Sequence, residues 1–550
     1  GGGGGGGVEV FLYATTGDNE VVPSVWRAEL KKEADHFREI HAGAGVSAGE
    51  ASAIVLADEL DVLVDLDGYS NEGLRRSELF AVRHAPVTVA WFVYMSTLGN
   101  PFVDYVVGDL TALPPHLVDP HSENGGESGG KNSGSSVGEN SESGGNSGGN
   151  SGGSNVEGGS GCTELSSAYS GKVLYLPGSF FPNSHALLFP LNQPLFGVNP
   201  TLDKSRKALG LPKRAPPSPK PPPGRHNRTQ AHSVGLWYSD ASFVFATFNK
   251  HLKIRSELFD VWCQALERLP LSVLWLLKYP PETEAALRLR AEGLGVLRHQ
   301  LVFSEFVGTA EENWVRLWRG ADAVLDTTVY GAHTGAVDAL WGGLPVVTCV
   351  GHCVRQEEPS SHGDQMASRV AASMLSSLGL ERELVVGSLE EYGATLFRLA
   401  TDTHWYDGLR RRLEESRREL GSLWDHEAYA NVFVEGLFKV WDRHLSGASP
   451  AHVFVERSLP PPSENEGSSD YSARKRGRDK DEEESENGRP LKRRGQQSRD
   501  EQDGSTARAD DLDGCGGEVG GERRHCDIHF QGTLTAAQWG VSDDPGEVFL

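Results

Sequence analysis

Short, nearly unbroken runs of valine, leucine and isoleucine recur through two stretches of this chain, each separated from the next by a helical pattern. In the first stretch they fall at Val8–Tyr13, Asp61–Leu66, Val87–Tyr94 and Tyr105–Val107. In the second they fall at Phe243–Phe248, Val273–Leu277, Leu301–Phe303, Ala323–Leu325 and Pro345–Val350, with helices over Arg255–Arg268 and from Gly335 through Leu340. A strand with one wet face alternates polar and apolar residues, whereas a strand covered on both faces of a parallel sheet does not. Short links between such strands and helices imply right-handed βαβ units. The expected fold is therefore α/β, with two Rossmann-like lobes and a ligand cleft at the carboxyl ends of the strands.

Segments that cannot bury a core divide these blocks. A Gly/Ser/Asn/Glu stretch runs over 121–161, a Pro-rich basic stretch follows Pro212, and low-complexity sequence fills the C-terminal part. The expected organisation is a first lobe at 8–200 carrying a disordered insert at 121–161. A Pro-rich linker at 201–233, a second lobe at 234–445 and a disordered tail at 446–550 follow. A formal charge of −24 argues against nucleic acid as a partner, because phosphate binding needs a dense basic surface. The six cysteines show no repeating spacing, which suits a reducing compartment better than a disulfide framework. No apolar run approaches the roughly 20 residues of a membrane helix, and no secretory signal precedes the first strand, so a soluble, non-secreted protein is expected.

Chemistry concentrates where strands end. Lys250 and Lys253 follow the strand Phe243–Phe248 directly, where ammonium groups and helix-start amides could hold a diphosphate; two lysines on a loop are also ordinary solvated charge. The segment from Leu325 to Asp338 ends a strand, passes a Gly-containing turn and opens a helix on Thr334 and Gly335, with Asp338 one turn in. Such turns are common without any ligand. Asp65-Leu66-Asp67 after another strand reads either as a metal-binding pair or as a structural turn. Cys349, His352 and Cys353, and likewise His525, Cys526 and His529, have the ligand types for zinc but not four ligands at a standard spacing.

Several longer motifs carry a resemblance. Ser272–Pro280, the His333-Thr334 turn, Ala339–Thr348 and Ala367–Ser373 resemble, in order and spacing, the second catalytic lobe of protein O-linked N-acetylglucosaminyltransferases. Val62–Ser70, Glu78–Val87, Phe102–Tyr105 and Leu174–Phe181 resemble the first. The likeness covers about 8–120, 172–200 and 235–444. It implies the glycosyltransferase-B architecture and inverting, metal-independent transfer of N-acetylglucosamine from UDP-GlcNAc to Ser or Thr of nuclear and cytoplasmic proteins. UDP-GlcNAc is then the donor substrate, and no cofactor is expected. By position, Lys253 matches the lysine that holds the diphosphate and stabilises departing UDP, and is the catalytic candidate. Lys250 stands at a glutamine near the nucleotide, and Trp314 at a histidine that stacks on uracil, a role an indole can keep. Arg316 joins them as a nucleotide-binding candidate. His333, Thr334 and Gly335 match the phosphate-contacting turn, and Asp338 the ribose-binding aspartate.

The chain departs from the pattern in places. Leu252 replaces a tyrosine, Met95–Gly99 replaces a Pro-Gly-Thr-Ser-Gly loop, and an insert occupies about 352–365. The family's first strand, with its His-containing turn, and its tandem helical repeats have no counterpart, so either the gene model is truncated or the protein is a degenerate, non-catalytic relative. Two alternatives stay open. One is a UDP-sugar-binding or scaffold relative without turnover; the other is a GDP-fucose-dependent protein O-fucosyltransferase. In the tail, Arg474–Arg478 and Lys492–Arg494 are basic clusters in an acidic segment, and they read either as a two-part signal for a nuclear import receptor or as a charge-balanced solvating tail.

Overall fold

The computed structural model describes residues 8–15, 25–41, 45–69, 77–118, 169, 171–189, 206–217, 241–305, 310–351, 353 and 365–456. The first stretch supplies β1 (Phe11–Ala14), β2 (His36–Glu39), β3 (Val62–Asp65), β4 (Val87–Ala90), β5 (Tyr105–Gly108) and β6 (Lys172–Tyr175). The second supplies β7 (Val244–Thr247), β8 (Val273–Leu277), β9 (Leu301–Ser304), β10 (Ala323–Leu325), β11 (Val346–Cys349) and β12 (Val385–Val386), and β13 (Val453–Phe454) closes the series. Every pairing among them is parallel. In β4, β5, β7, β8, β10 and β11 all residues are buried, as unbroken apolar runs require.

The second sheet has the order β12-β11-β10-β7-β8-β9. The chain leaves β7 towards β9 on one side and returns at β10 to build the other. Connections on either side of that reversal run to opposite faces, so a crevice opens at the carboxyl ends of β7 and β10. The helix Ser256–Arg268 covers one face. Its buried Leu258, Phe259, Trp262, Cys263, Ala265 and Leu266 recur at helical spacing, with Glu257 in the first turn and Arg268 in the last, each at the helix end whose dipole favours it.

On the other side of the β7/β10 reversal, the helix Thr334–Trp341 is buried over its last six residues. It ends at Gly342, where an added Cβ would overlap Cδ1 and Nε1 of the Trp318 indole. That nitrogen donates to Asp338 O at 2.6 Å, so the ring cannot swing away without losing that bond. Gly342→Ala is expected to destabilise the protein by about 1–3 kcal/mol, the range for an overpacked core. A lowered urea midpoint at unchanged slope checks this, and an unchanged midpoint would mean that Trp318 repacks freely.

The first lobe has a sheet ordered β13-β6-β5-β4-β3, while β1 and β2 pair as a separate two-stranded sheet. Two expected boundaries move. The folded chain was placed as ending at 445 with everything from 234 in the second lobe, yet the helix His426–Leu445 packs on the first lobe. Phe433 stacks on Trp91 at 4.3 Å between ring centroids, and Gly436 lies against Leu174 and Val455. The chain then continues into β13, which pairs Val453 with Leu174 and Phe454 with Tyr175. The expected linker also contributes to the fold. Residues 206–217 pack on the second lobe through the buried Arg206–Asp322 ion pair at 2.8 Å and a bridge between Ala215 and Ser242. Both shifts arise because the partner surface is distant in sequence, where local composition carries no information. The insert at 121–161 and the tail beyond 456 lie outside the described residues.

The cysteines also differ from expectation. Cys349 and Cys353 are joined as a disulfide, with their Cα atoms 6.1 Å apart where the chain turns after β11, within the usual span for a bridge; Cys263 is a buried free thiol. Their sulfurs are thus bonded to each other, and His352, His525, Cys526 and His529 of the zinc readings lie outside the described residues. No described helix is long and apolar enough to cross a membrane.

Candidate active site

Lys253 ends a short 3₁₀ turn, His251–Lys253, that follows β7. His251, buried, anchors that turn: its backbone N–H donates to Tyr279 O at 3.0 Å and its ring bonds the Thr283 hydroxyl. Leu252 between them is 77% exposed, whereas Lys253 turns inward. The Lys253 ammonium sits 4.3 Å from the centroid of the Tyr330 ring and donates to Gly331 O at 3.3 Å. Burial, with help from the neighbouring Lys250 charge, lowers its pKa to about 8, against a partial pull upward by Asp326. Lys250 lies 5.6 Å from the Tyr279 ring centroid, and burial lowers its pKa as well.

Asp326, directly after β10, shapes the opposite wall. Its Oδ1 accepts from Thr327 N and Ala332 N, and its Oδ2 accepts the Thr348 hydroxyl at 2.7 Å. Burial raises this carboxyl to about 6 despite those bonds. The turn it holds is tied further by Thr327 Oγ1 donating to Tyr330 O at 2.7 Å. At its end His333 donates Nε2–H to Ala367 O at 3.0 Å and lies 4.6 Å from Tyr330 between centroids. Burial first, and the Lys253 charge second, push the His333 pKa down to about 3, so the imidazole is neutral. What this turn offers an anion is backbone. Ala336 and Val337 donate to His333 O, while the N–H groups of Thr334 and Gly335 have no acceptor among the described residues. Gly335 is exposed, and no atom of the described residues lies within 4 Å of an added Cβ.

The remaining expected residues separate. Trp314 and Arg316, two apart on the helix Ala310–Gly320, point to different faces. Arg316 lies 5.1 Å from the Phe248 ring centroid and donates to Glu305 O at 2.8 Å, while Trp314 packs edge-on against Phe189 at 5.8 Å. Asp338 is 2% exposed and bonded to His185 Nε2 at 2.7 Å. Lys250, Lys253 and the Tyr330–Gly335 turn are thus brought together, Trp314 and Asp338 gather around His185, and Arg316 stands apart. His185 carries no sequence signal of its own. Asp326 and Tyr330 were within reach, since both lie in the strand-to-helix segment already singled out. Asp65, on the first lobe, builds a turn: its Oδ1 accepts from Asp67 N at 3.1 Å and Gly68 N at 3.0 Å.

Comparison with known proteins identifies the family of the chain. The model of glycosyl transferase family 41 matches residues 5–125 and 229–433, together more than half of the 550. The chain is 27% identical over 448 residues to an Arabidopsis thaliana protein named probable UDP-N-acetylglucosamine–peptide N-acetylglucosaminyltransferase SEC, covering 82% of this chain and 35% of that one. It is also 27% identical over 480 residues to the Caenorhabditis elegans UDP-N-acetylglucosamine–peptide N-acetylglucosaminyltransferase, covering 82% of this chain and 40% of the relative. It therefore spans little more than a third of these relatives' length. A solved structure of a mutant O-GlcNAc transferase from Thermobaculum terrenum superposes with a TM-score of 0.51 at 23% identity, over 80% of this chain and 63% of that one, a likeness of fold. The two-lobed glycosyltransferase-B architecture expected from the sequence is the one observed. The protein belongs to glycosyl transferase family 41.

Proposed function

We propose that this chain carries the catalytic region of a protein O-GlcNAc transferase, which moves N-acetylglucosamine from UDP-GlcNAc to Ser or Thr hydroxyls of nuclear and cytoplasmic proteins. The observation that carries the reading is the Lys253 ammonium, buried beside the Tyr330–Gly335 turn and forming no ion pair among the described residues. The Asp326 carboxylate offsets its burial only in part, and a buried cation with no direct ion pair is costly unless an anion arrives. The unpaired amides of Thr334 and Gly335 stand ready for the same anion.

In this reading an acceptor hydroxyl attacks the anomeric carbon from the face opposite UDP. The new C–O bond forms as the bond to the β-phosphate oxygen breaks, UDP leaves with that electron pair, and the hydroxyl proton is released to water. Lys253 and the two amides stabilise the charge that grows on UDP, an electrostatic contribution that strengthens in the transition state. No metal or other cofactor is needed for that task. Protein substrates follow from what the relatives are named for, and a nuclear import receptor is proposed to read the basic clusters of the tail.

Calorimetric titration is expected to give binding of UDP, weaker binding of GDP, and no change with EDTA. Tighter binding of GDP would move the protein to fucosyl transfer. A strict Mn²⁺ or Mg²⁺ requirement would overturn metal independence and return Asp65 and Asp67 to consideration. UDP binding without glycosylation of a Ser/Thr peptide would favour the non-catalytic relative.

A further inference from the structure

We propose that His185 is a positioning residue of the donor site: it holds the Asp338 carboxylate so that one oxygen faces the ribose of the bound nucleotide. The proposal deepens the functional reading above and rests on it. His185 opens the four-residue helix His185–Leu188, after the first-lobe strand β6, and Asp338 lies on the second-lobe helix Thr334–Trp341. Their bond, Nε2 to Oδ1 at 2.7 Å, crosses 153 residues of sequence. Facing a carboxylate, Nε2 is the nitrogen that carries the proton. A carboxylate with one oxygen tied and its rotation stopped can present only the other.

The surroundings fix the imidazole as well. Its ring centroid lies 5.7 Å from Phe189, 5.8 Å from Trp314, 6.0 Å from Trp341 and 6.5 Å from Trp424. Side chains that approach on several sides leave few rotamers, the requirement for a preorganised contact. The backbone of Asp338 is held by Trp318, whose indole N–H bonds the Asp338 carbonyl at 2.6 Å. Asp338 Oδ2 accepts no bond among the described residues. It is thus the free acceptor of the pair, on the same short helix whose first turn offers the Thr334 and Gly335 amides. A sugar diol donates two hydrogen bonds, and a fixed carboxylate oxygen at the edge of an aromatic enclosure is a fitting acceptor.

The test compares ligands that use different halves of the site. UDP, 2′,3′-dideoxy-UDP and inorganic pyrophosphate are titrated into the full chain and into His185→Ala, His185→Gln and His185→Asn. In the unsubstituted protein UDP should bind at least tenfold more tightly than its dideoxy form. His185→Ala should lose most of that preference while keeping pyrophosphate affinity, which also shows that the variant is folded. Gln can place an amide N–H near the position of Nε2 and should recover part of the preference, whereas the shorter Asn should not. Equal weakening of UDP and pyrophosphate in His185→Ala would reduce the residue to a structural one, and tighter UDP binding would make it an obstruction; either overturns the proposal. An unsubstituted protein that binds neither UDP nor pyrophosphate would instead refute the functional reading beneath it.

Discussion

Lys253→Met is expected to remove UDP binding and stabilise the free protein at the same time. A charge-assisted contact to a diphosphate contributes about 1.5–3 kcal/mol, or roughly 10- to 150-fold in affinity, and more in the transition state of transfer. The same ammonium burdens the empty fold, because burial lowers its pKa to about 8. Below pH 8 the folded and unfolded states both hold the proton, and the cost of burying the charge is fully present. Between pH 8 and the unfolded value near 10.4 the unfolded chain binds more protons than the folded one, so stability rises with pH. Met, of similar length and without charge, should relieve that cost, of the order of 1–3 kcal/mol, and flatten this part of the stability profile. UDP affinity in the unsubstituted protein should run the other way, holding near pH 7 and falling as the pH passes 8. Thermal unfolding and calorimetry from pH 7 to 9.5 measure both curves. Unchanged UDP affinity in Lys253→Met would remove Lys253 from the site.

The largest effect on stability is expected from Asp322→Ala. This carboxylate, 2% exposed, accepts from Arg206 Nη2 at 2.8 Å and from Val244 N at 2.9 Å. Its removal strands a buried guanidinium and a buried strand N–H together, and breaking such a pair costs about 3–5 kcal/mol. In a lobe of this size that is a drop of roughly 10 °C in unfolding temperature. Arg206→Met, which removes the charge and keeps the volume, should cost less, because Asp322 retains the Val244 amide. A loss below about 1 kcal/mol in Asp322→Ala would show that residues near Arg206 contribute little to the second lobe.

The sheets were legible because burial on both faces leaves a mark in the residues themselves. Val273–Leu277 and Ala323–Leu325 fall where their unbroken apolar runs place them. By contrast β2, His-Phe-Arg-Glu, is half-buried throughout and holds one apolar residue among three polar ones, so nothing in its composition marks a strand. The strand β13 is only two residues long, and the contact that secures its neighbourhood, Val173 N to His452 Nδ1, spans 279 residues. The site divides in the same way. Lys253 and the His333–Gly335 turn lie at the carboxyl ends of β7 and β10, where general rules of α/β sheets direct attention. His185 was hidden because its meaning comes from Asp338, on the other lobe. Trp314 and Arg316 are both nucleotide-binding candidates by sequence, but helix geometry turns residues two apart to different sides.

The return of the chain to its first sheet through the helix His426–Leu445 and β13 also sets a schedule for synthesis. The second lobe is almost continuous in sequence and can close soon after β12 has left the ribosome. The first lobe was made earlier but must wait, with Trp91, Leu174 and Tyr175 lacking their partners Phe433, Val455 and Phe454 until more than 250 further residues have been added. At about 5–20 residues per second that interval lasts from roughly ten seconds to a minute. The later half of the polypeptide is thereby the first to become protease-resistant, and nascent chains arrested before Phe433 should be held by chaperones through the first lobe alone.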